Sequence, residues 1–141
     1  MDSSLMRKAK MLLDSTENTC VFCGQQAVFA DRRRGVRPLL DLLESGADVA
    51  GFAVADKVVG KAAAYLYCLL NVGCLYARVI SQPALSVLQE RGIPAEYSQI
   101  VPAIQNRTKD GLCPMESAVM EIDDPSEAYH IILKTLVELG T

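Results

Sequence analysis

Hydrophobic positions along the chain change period repeatedly, from about 3.6 residues to 2 and back, and this alternation lays out the fold. Between Ser4 and Asp14, Leu5, Met6, Ala9, Leu12 and Leu13 fall on one helical face, and the polar run Ser15-Thr16-Glu17-Asn18 ends the pattern. Thr19 to Cys23 and Ala27 to Ala30 are short β-prone runs parted by Gly24-Gln25-Gln26, which predicts an antiparallel hairpin. After Arg34-Gly35, Pro38 suits a first helical turn, Leu39, Leu40, Leu42 and Leu43 supply an apolar face, and Gly46 is placed to end the helix. Val49 to Ala55 is almost purely apolar and reads as a strand buried on both faces. Lys57 to Leu70 reads as an alanine-rich helix, apolar nearly all round. Cys74 to Ile80 (strand), Pro83 to Arg91 (helix), Glu96 to Val101 (strand) and two closing helices, Pro114 to Ile122 and Pro125 to Leu139, complete the order. Strands alternating with helices predict an α/β fold with a mostly parallel sheet that opens on an antiparallel hairpin.

Composition narrows the function classes. A chain of 141 residues, half of them hydrophobic, is expected to form one domain over residues 1–141. Its net charge of −3 is spread along the sequence, which argues against binding a nucleic-acid backbone. The N-terminus lacks the order of a signal peptide, and no apolar run approaches the roughly 18 to 20 residues a spanning helix needs, so no membrane partner is expected. Five cysteines, an odd number, point to free thiols in a reducing, cytoplasmic compartment. Pro102 to Leu112 is the one long irregular stretch, and it raises the question whether Arg107 or Asp110 closes over a pocket.

Three clusters at predicted helix starts carry the candidate chemistry. In the first, Asp56 is an ordinary N-cap, but Lys57 in the first turn opposes the helix dipole and calls for a negative partner. A bound phosphate or carboxylate would serve, as would an acidic side chain. Lys61 follows one turn on, and Gly60 permits close approach of a ligand or a neighbouring backbone. In the second, Pro114 fits the first helical position, making Cys113 the cap and the most reactive thiol candidate. Glu116 occupies the capping-box position, where holding its own helix start is its ordinary role. In the third, Arg32-Arg33-Arg34-Gly35-Val36-Arg37 leads into a helix and makes an anion site with Arg37 its best member, although such charge runs are usually solvated. Cys20 and Cys23 lie three apart in a strand and so point to opposite faces, which speaks for packing over metal binding. The single His130 reads as a surface or core histidine.

The segments Arg34-Gly35-Val36-Arg37-Pro38-Leu39, Ala55-Asp56-Lys57-Val58-Val59-Gly60-Lys61-Ala62-Ala63 and Asp110-Gly111-Leu112-Cys113-Pro114-Met115-Glu116 resemble a small prokaryotic family of unknown function. That family has a cytidine-deaminase-like fold without the zinc motifs. The resemblance implies a three-layer sandwich: a mixed five-stranded sheet with an N-terminal antiparallel hairpin and helices on both faces. It also places the helix starts at a pocket. Zinc deaminases need a His or Cys ligand with a nearby Glu at one helix start and Cys-x-x-Cys at the next. Here the corresponding stretches read Arg34-Gly35-Val36-Arg37 and Asp56-Lys57-Val58-Val59, so no metal and no cofactor are expected. The function expected is binding of a small anionic ligand, nucleotide-like by fold analogy alone, through Arg37, Lys61, Gly60 and Glu116. The alternative is a metal-independent enzyme in which Cys113 and Lys57, oriented by Asp56, act on a small phosphorylated or carboxylated metabolite. Deaminase folds are commonly oligomeric, and a homodimer is expected.

Overall fold

The computed structural model describes residues 3–106, 108–109 and 111–140, so Arg107 and Asp110, the two loop candidates, lie outside the described residues. The elements follow the predicted order: α1 (Ser3–Asp14), β1 (Cys20–Cys23), β2 (Val28–Asp31), α2 (Arg37–Ser45), β3 (Ala53–Val59), α3 (Lys61–Leu70), β4 (Cys74–Ser81), α4 (Gln82–Glu90), β5 (Ala95–Val101), α5 (Pro114–Val119) and α6 (Pro125–Glu138). One sheet runs β2-β1-β3-β4-β5. β1 is antiparallel to both β2 and β3, while β3, β4 and β5 are mutually parallel.

The local causes are visible at the element ends. The Ser81 hydroxyl accepts from the Ala84 N–H at 3.2 Å to cap α4, and the Asp124 carboxylate accepts from the Glu127 N–H at 2.9 Å to cap α6. Gly46 closes α2 in the left-handed region at φ 72°. α1 covers one face of the sheet, packing Met6, Ala9 and Leu13 on Val21, Cys23, Ala53, Ala55 and Cys74. The opposite face carries the larger core, with Phe22, Val54 and Leu75 beneath Leu39 and Leu40 of α2 and Leu66 and Tyr67 of α3. α5 and α6 pack in turn on α3, leaving it walled by sheet and helices; hence its apolar circumference. This is the three-layer arrangement, a mixed five-stranded sheet with helices on both faces, that the sequence led us to expect.

One boundary differs from the sequence reading, and the difference matters for the site. β3 spans Ala53–Val59, and α3 begins at Lys61 after an extended Gly60 (φ −96°, ψ 179°). Asp56 and Lys57 therefore lie in the strand, not at a helix start. The β-branched Val58 and Val59 favour extended backbone, and the Asp56 carboxyl finds its partners without a helix to cap. The residues preceding the strand instead form a turn, in which the Gly51 N–H donates to the Asn71 carbonyl at 2.9 Å and the Gly73 N–H to the Phe52 carbonyl at 2.9 Å.

Gly73 sits so close to this turn that a Cβ there would lie 2.5 Å from the Gly51 carbonyl oxygen. Both groups are backbone and cannot step aside. Gly73→Ala is expected to lower stability by about 1–3 kcal/mol in urea unfolding. An unchanged midpoint would mean that the turn yields at no cost.

Candidate functional site

The start of α3 is the centre of the candidate site, and it is occupied from within. A helix leaves its first N–H groups without intrahelical partners, and Gly60 has no side chain with which to cap them. Glu116, in the first turn of α5, supplies the acceptors. Its Oε1 accepts from the Lys61 N–H at 2.8 Å and its Oε2 from the Ala62 N–H at 3.0 Å. The carboxylate is buried, only 8% exposed, and its negative charge lies at the positive end of the helix dipole. Gly60 is what admits it, since a Cβ at that position would lie 2.5 Å from the Glu116 Cδ.

Two further contacts fasten the same junction. The Lys61 Nζ donates to the Met120 carbonyl at 2.9 Å and lies 5.7 Å from the centre of the Tyr65 ring; the Tyr65 hydroxyl donates to the Ile122 carbonyl at 2.6 Å. Glu116 thus caps a helix 55 residues away in sequence rather than the start of its own helix, which corrects the capping-box reading. Cys113 is the N-cap residue of α5, as expected, and makes no side-chain cap bond. Its N–H donates to the Ile104 carbonyl at 3.0 Å, and its half-buried side chain packs against the main core.

Beneath α3 lies a second polar group that the sequence did not single out as a pair. The Tyr67 hydroxyl donates to Asp56 Oδ2 at 2.5 Å, and the Val58 N–H donates to Oδ1 at 3.1 Å. Both side chains are buried, and desolvation raises the Asp56 carboxyl to a pKa of about 7 despite these hydrogen bonds. Burial and the neighbouring Asp56 charge push the Tyr67 phenol well above its ordinary value. The nearby Cys20 thiol is raised as well, chiefly by burial and then by Asp56.

Strand alternation separates Asp56 from Lys57. Asp56 points with Val54 toward α3, whereas Lys57 leaves the sheet with Ala55 on the face that α1 covers. The same parity sends Cys20 into one core and Cys23 into the other, as the spacing implied. Arg37 opens α2, half-buried, with no hydrogen bond or ion pair to its side chain among the described residues. Arg33, in the same basic run, is clamped by Asp31 and Asp41 at 2.7 Å each. His130 is exposed on α6. A cavity of about 530 Å³, unforeseen in the sequence, opens at the other end of the sheet and is lined by Gly24, Gln25, Phe52, Gly73 and Cys74, among others. Among the described residues no group of three or more His, Cys, Asp or Glu side chains is gathered to hold a metal ion. Among the described residues no helix is long and apolar enough to cross a membrane.

These features define an α/β protein with a five-stranded mixed sheet whose central helix start is capped by an internal carboxylate. The chain belongs to the TM1506 family, described as a domain of unknown function (DUF1893), whose model matches residues 8–136. The crystal structure of a DUF1893 family protein (TM1506) from Thermotoga maritima superposes with a TM-score of 0.88 at 29% identity, covering 95% of this chain and 91% of that one. The dCMP deaminase from the cyanophage S-TIM5, in apo form, aligns with a TM-score of 0.46 at 12% identity, covering 67% of this chain and 94% of that one. No curated protein matches.

Two outcomes follow from this geometry. Removing the carboxylate in Glu116→Ala strands buried N–H groups and should lower stability by about 3 kcal/mol, with partial recovery in formate or acetate, which carry the same acceptor group. Recovery is read as a rise in melting temperature relative to chloride at equal ionic strength; none would mean that the N–H groups reach water. The second outcome concerns pH. Folded Asp56 holds its proton more tightly than the unfolded chain, so its contribution is complete below about pH 4 and is lost as pH rises to about 7. The loss is about 3–4 kcal/mol. Asp56→Asn should therefore gain on the wild type between pH 5 and pH 8 in urea unfolding, and parallel pH profiles would refute the assignment.

Proposed function

We propose that this chain is a binding protein for a small anionic ligand, built on a deaminase-like scaffold and without hydrolytic chemistry of its own. The observation that carries this reading is the Glu116 carboxylate on the first N–H groups of α3 at 2.8 and 3.0 Å. This helix start already recognises a carboxylate, and Gly60 keeps the approach clear of a side chain. A ligand carboxylate or phosphate would take the same N–H groups in exchange for Glu116. Arg37, half-buried at the first turn of α2 and without a partner among the described residues, supplies the candidate cation.

The enzymatic alternative relied on Cys113 and Lys57 acting together. Asp56 and Lys57 lie in β3 rather than at a helix start, and Asp56 turns to Tyr67 while alternation points Lys57 to the opposite face, so Asp56 is not placed to orient Lys57. The five free cysteines fit a reducing, cytoplasmic setting.

Thermal shift of the chelator-treated protein tests the reading, using nucleosides, nucleotides, sugar phosphates, dicarboxylates and zinc. A ligand at a hundredfold excess over its Kd stabilises the native state by about 3 kcal/mol. A phosphorylated or carboxylated compound should raise the melting temperature of the wild type and of Lys57→Ala, but not of Arg37→Ala. If no anion shifts either the wild type or Glu116→Ala, the anion site does not exist. A stoichiometric shift with zinc alone would overturn the metal-free reading.

A further inference from the structure

The two edges of the sheet are protected very differently. β2, at one edge, is four residues long and ends on Asp31, held by Arg33 and flanked by the charged Arg32 and Arg34. Short length and charge are the usual guards against pairing with another chain. β5, at the other edge, is seven residues long, and every residue from Glu96 to Ile100 is exposed. Its one charge, Glu96, is held by Lys10 of α1 at 2.9 Å. No proline interrupts it; Pro94 and Pro102 stand just outside its ends.

The surroundings of β5 are equally neutral. The runs 79–89 and 92–106, which comprise nearly all of α4, β5 and the exit from it, contain Glu96 as their single charged residue. The chain-wide fraction of 22% would place about six there. Tyr97 and Ile100 are 43% and 37% exposed. An open groove of about 590 Å³ runs beside Ile100, lined also by Gln82, Pro83, Ser86, Val101 and Pro102. Depletion of charge around an exposed aromatic residue is the composition of an interface centre.

From these observations we infer that β5 pairs antiparallel with β5 of a second copy of the chain, joining two sheets into one across a two-fold axis at Ser98. The register follows from the β4 side. The Leu75 N–H donates to the Pro94 carbonyl at 3.0 Å, so even-numbered residues turn their backbone groups toward β4. Ala95, Tyr97, Gln99 and Val101 then present theirs to the open edge. Centring the axis on Ser98 sets Tyr97 opposite Gln99 of the second copy and Ala95 opposite Val101 of the second copy, and uses all the outward groups in roughly eight hydrogen bonds. Glu96 faces Ile100 of the second copy, so no like charges oppose each other. The uncharged faces of the two α4 helices flank the seam. The self-matched register and the neutrality of both partners select a second copy over a charged peptide. The inference is independent of the anion reading, because none of these residues belongs to the α3 start.

Light scattering at about 50 µM should give twice the 15.3 kDa chain mass. Gln99→Pro removes an outward N–H while sparing the ladder to β4, and should yield a folded monomer. Ser98 faces its own copy in a non-hydrogen-bonded pair, with Cα atoms about 4.5 Å apart, so Ser98→Cys should form a disulfide-linked dimer on mild oxidation where the wild type does not. A monomeric wild type overturns the inference. So does a dimer that persists in Gln99→Pro while Ser98→Cys fails to cross-link. If Gln99→Pro does not fold, the cross-link alone decides.

Discussion

The N-terminus of α3 sets the constraint on which much of the molecule depends. This helix is enclosed by the sheet below and by α5 and α6 above, so its first N–H groups cannot all turn to water. Gly60, Lys61, Ala62 and Ala63 offer no local acceptor, and the demand is met from a distant part of the chain. Glu116 can reach only if α5 lies across the helix start. Lys61 and Tyr65 hold the far end of that segment through the Met120 and Ile122 carbonyls. With α5 so placed, α6 closes over α3 and completes the larger core. One unsatisfied helix end thus accounts for the position of most of the C-terminal third.

The same contact shows how a helix start can be satisfied without a bound ligand. The start of α3 is sealed by the protein's own carboxylate, and α2 begins with arginine and proline. The preference of a helix start for negative charge is a property of backbone geometry and needs no metal ligand.

Much of this was legible in the sequence. The order of eleven elements, the antiparallel hairpin and the opposite facing of Cys20 and Cys23 all follow from local period, since each element announces its own. The β3–α3 boundary did not, because Asp56 followed by Lys57 mimics a cap and first turn. The β-branched Val58-Val59 before Gly60 was the contrary signal. The misplaced boundary also put Asp56 and Lys57 in one cluster, where strand parity divides them. The partnership of Glu116 with Lys61 and Ala62 was not legible, because no local pattern specifies a contact between residues 55 apart. The sequence attached the need for a negative partner to Lys57, four residues before the true helix start at Lys61.

The buried Asp56–Tyr67 pair bears on how α3 is aligned over the sheet. Ala62, Ala63 and Ala64 give the helix a smooth, small-residue surface that would pack acceptably in more than one position along the strands. Sliding the helix by one turn would carry the phenol about 5.4 Å from the carboxyl, leaving the phenol without a partner and the carboxyl with only the Val58 N–H in apolar surroundings. A single polar contact in an otherwise greasy layer therefore acts as a key that fits one alignment and rejects its neighbours.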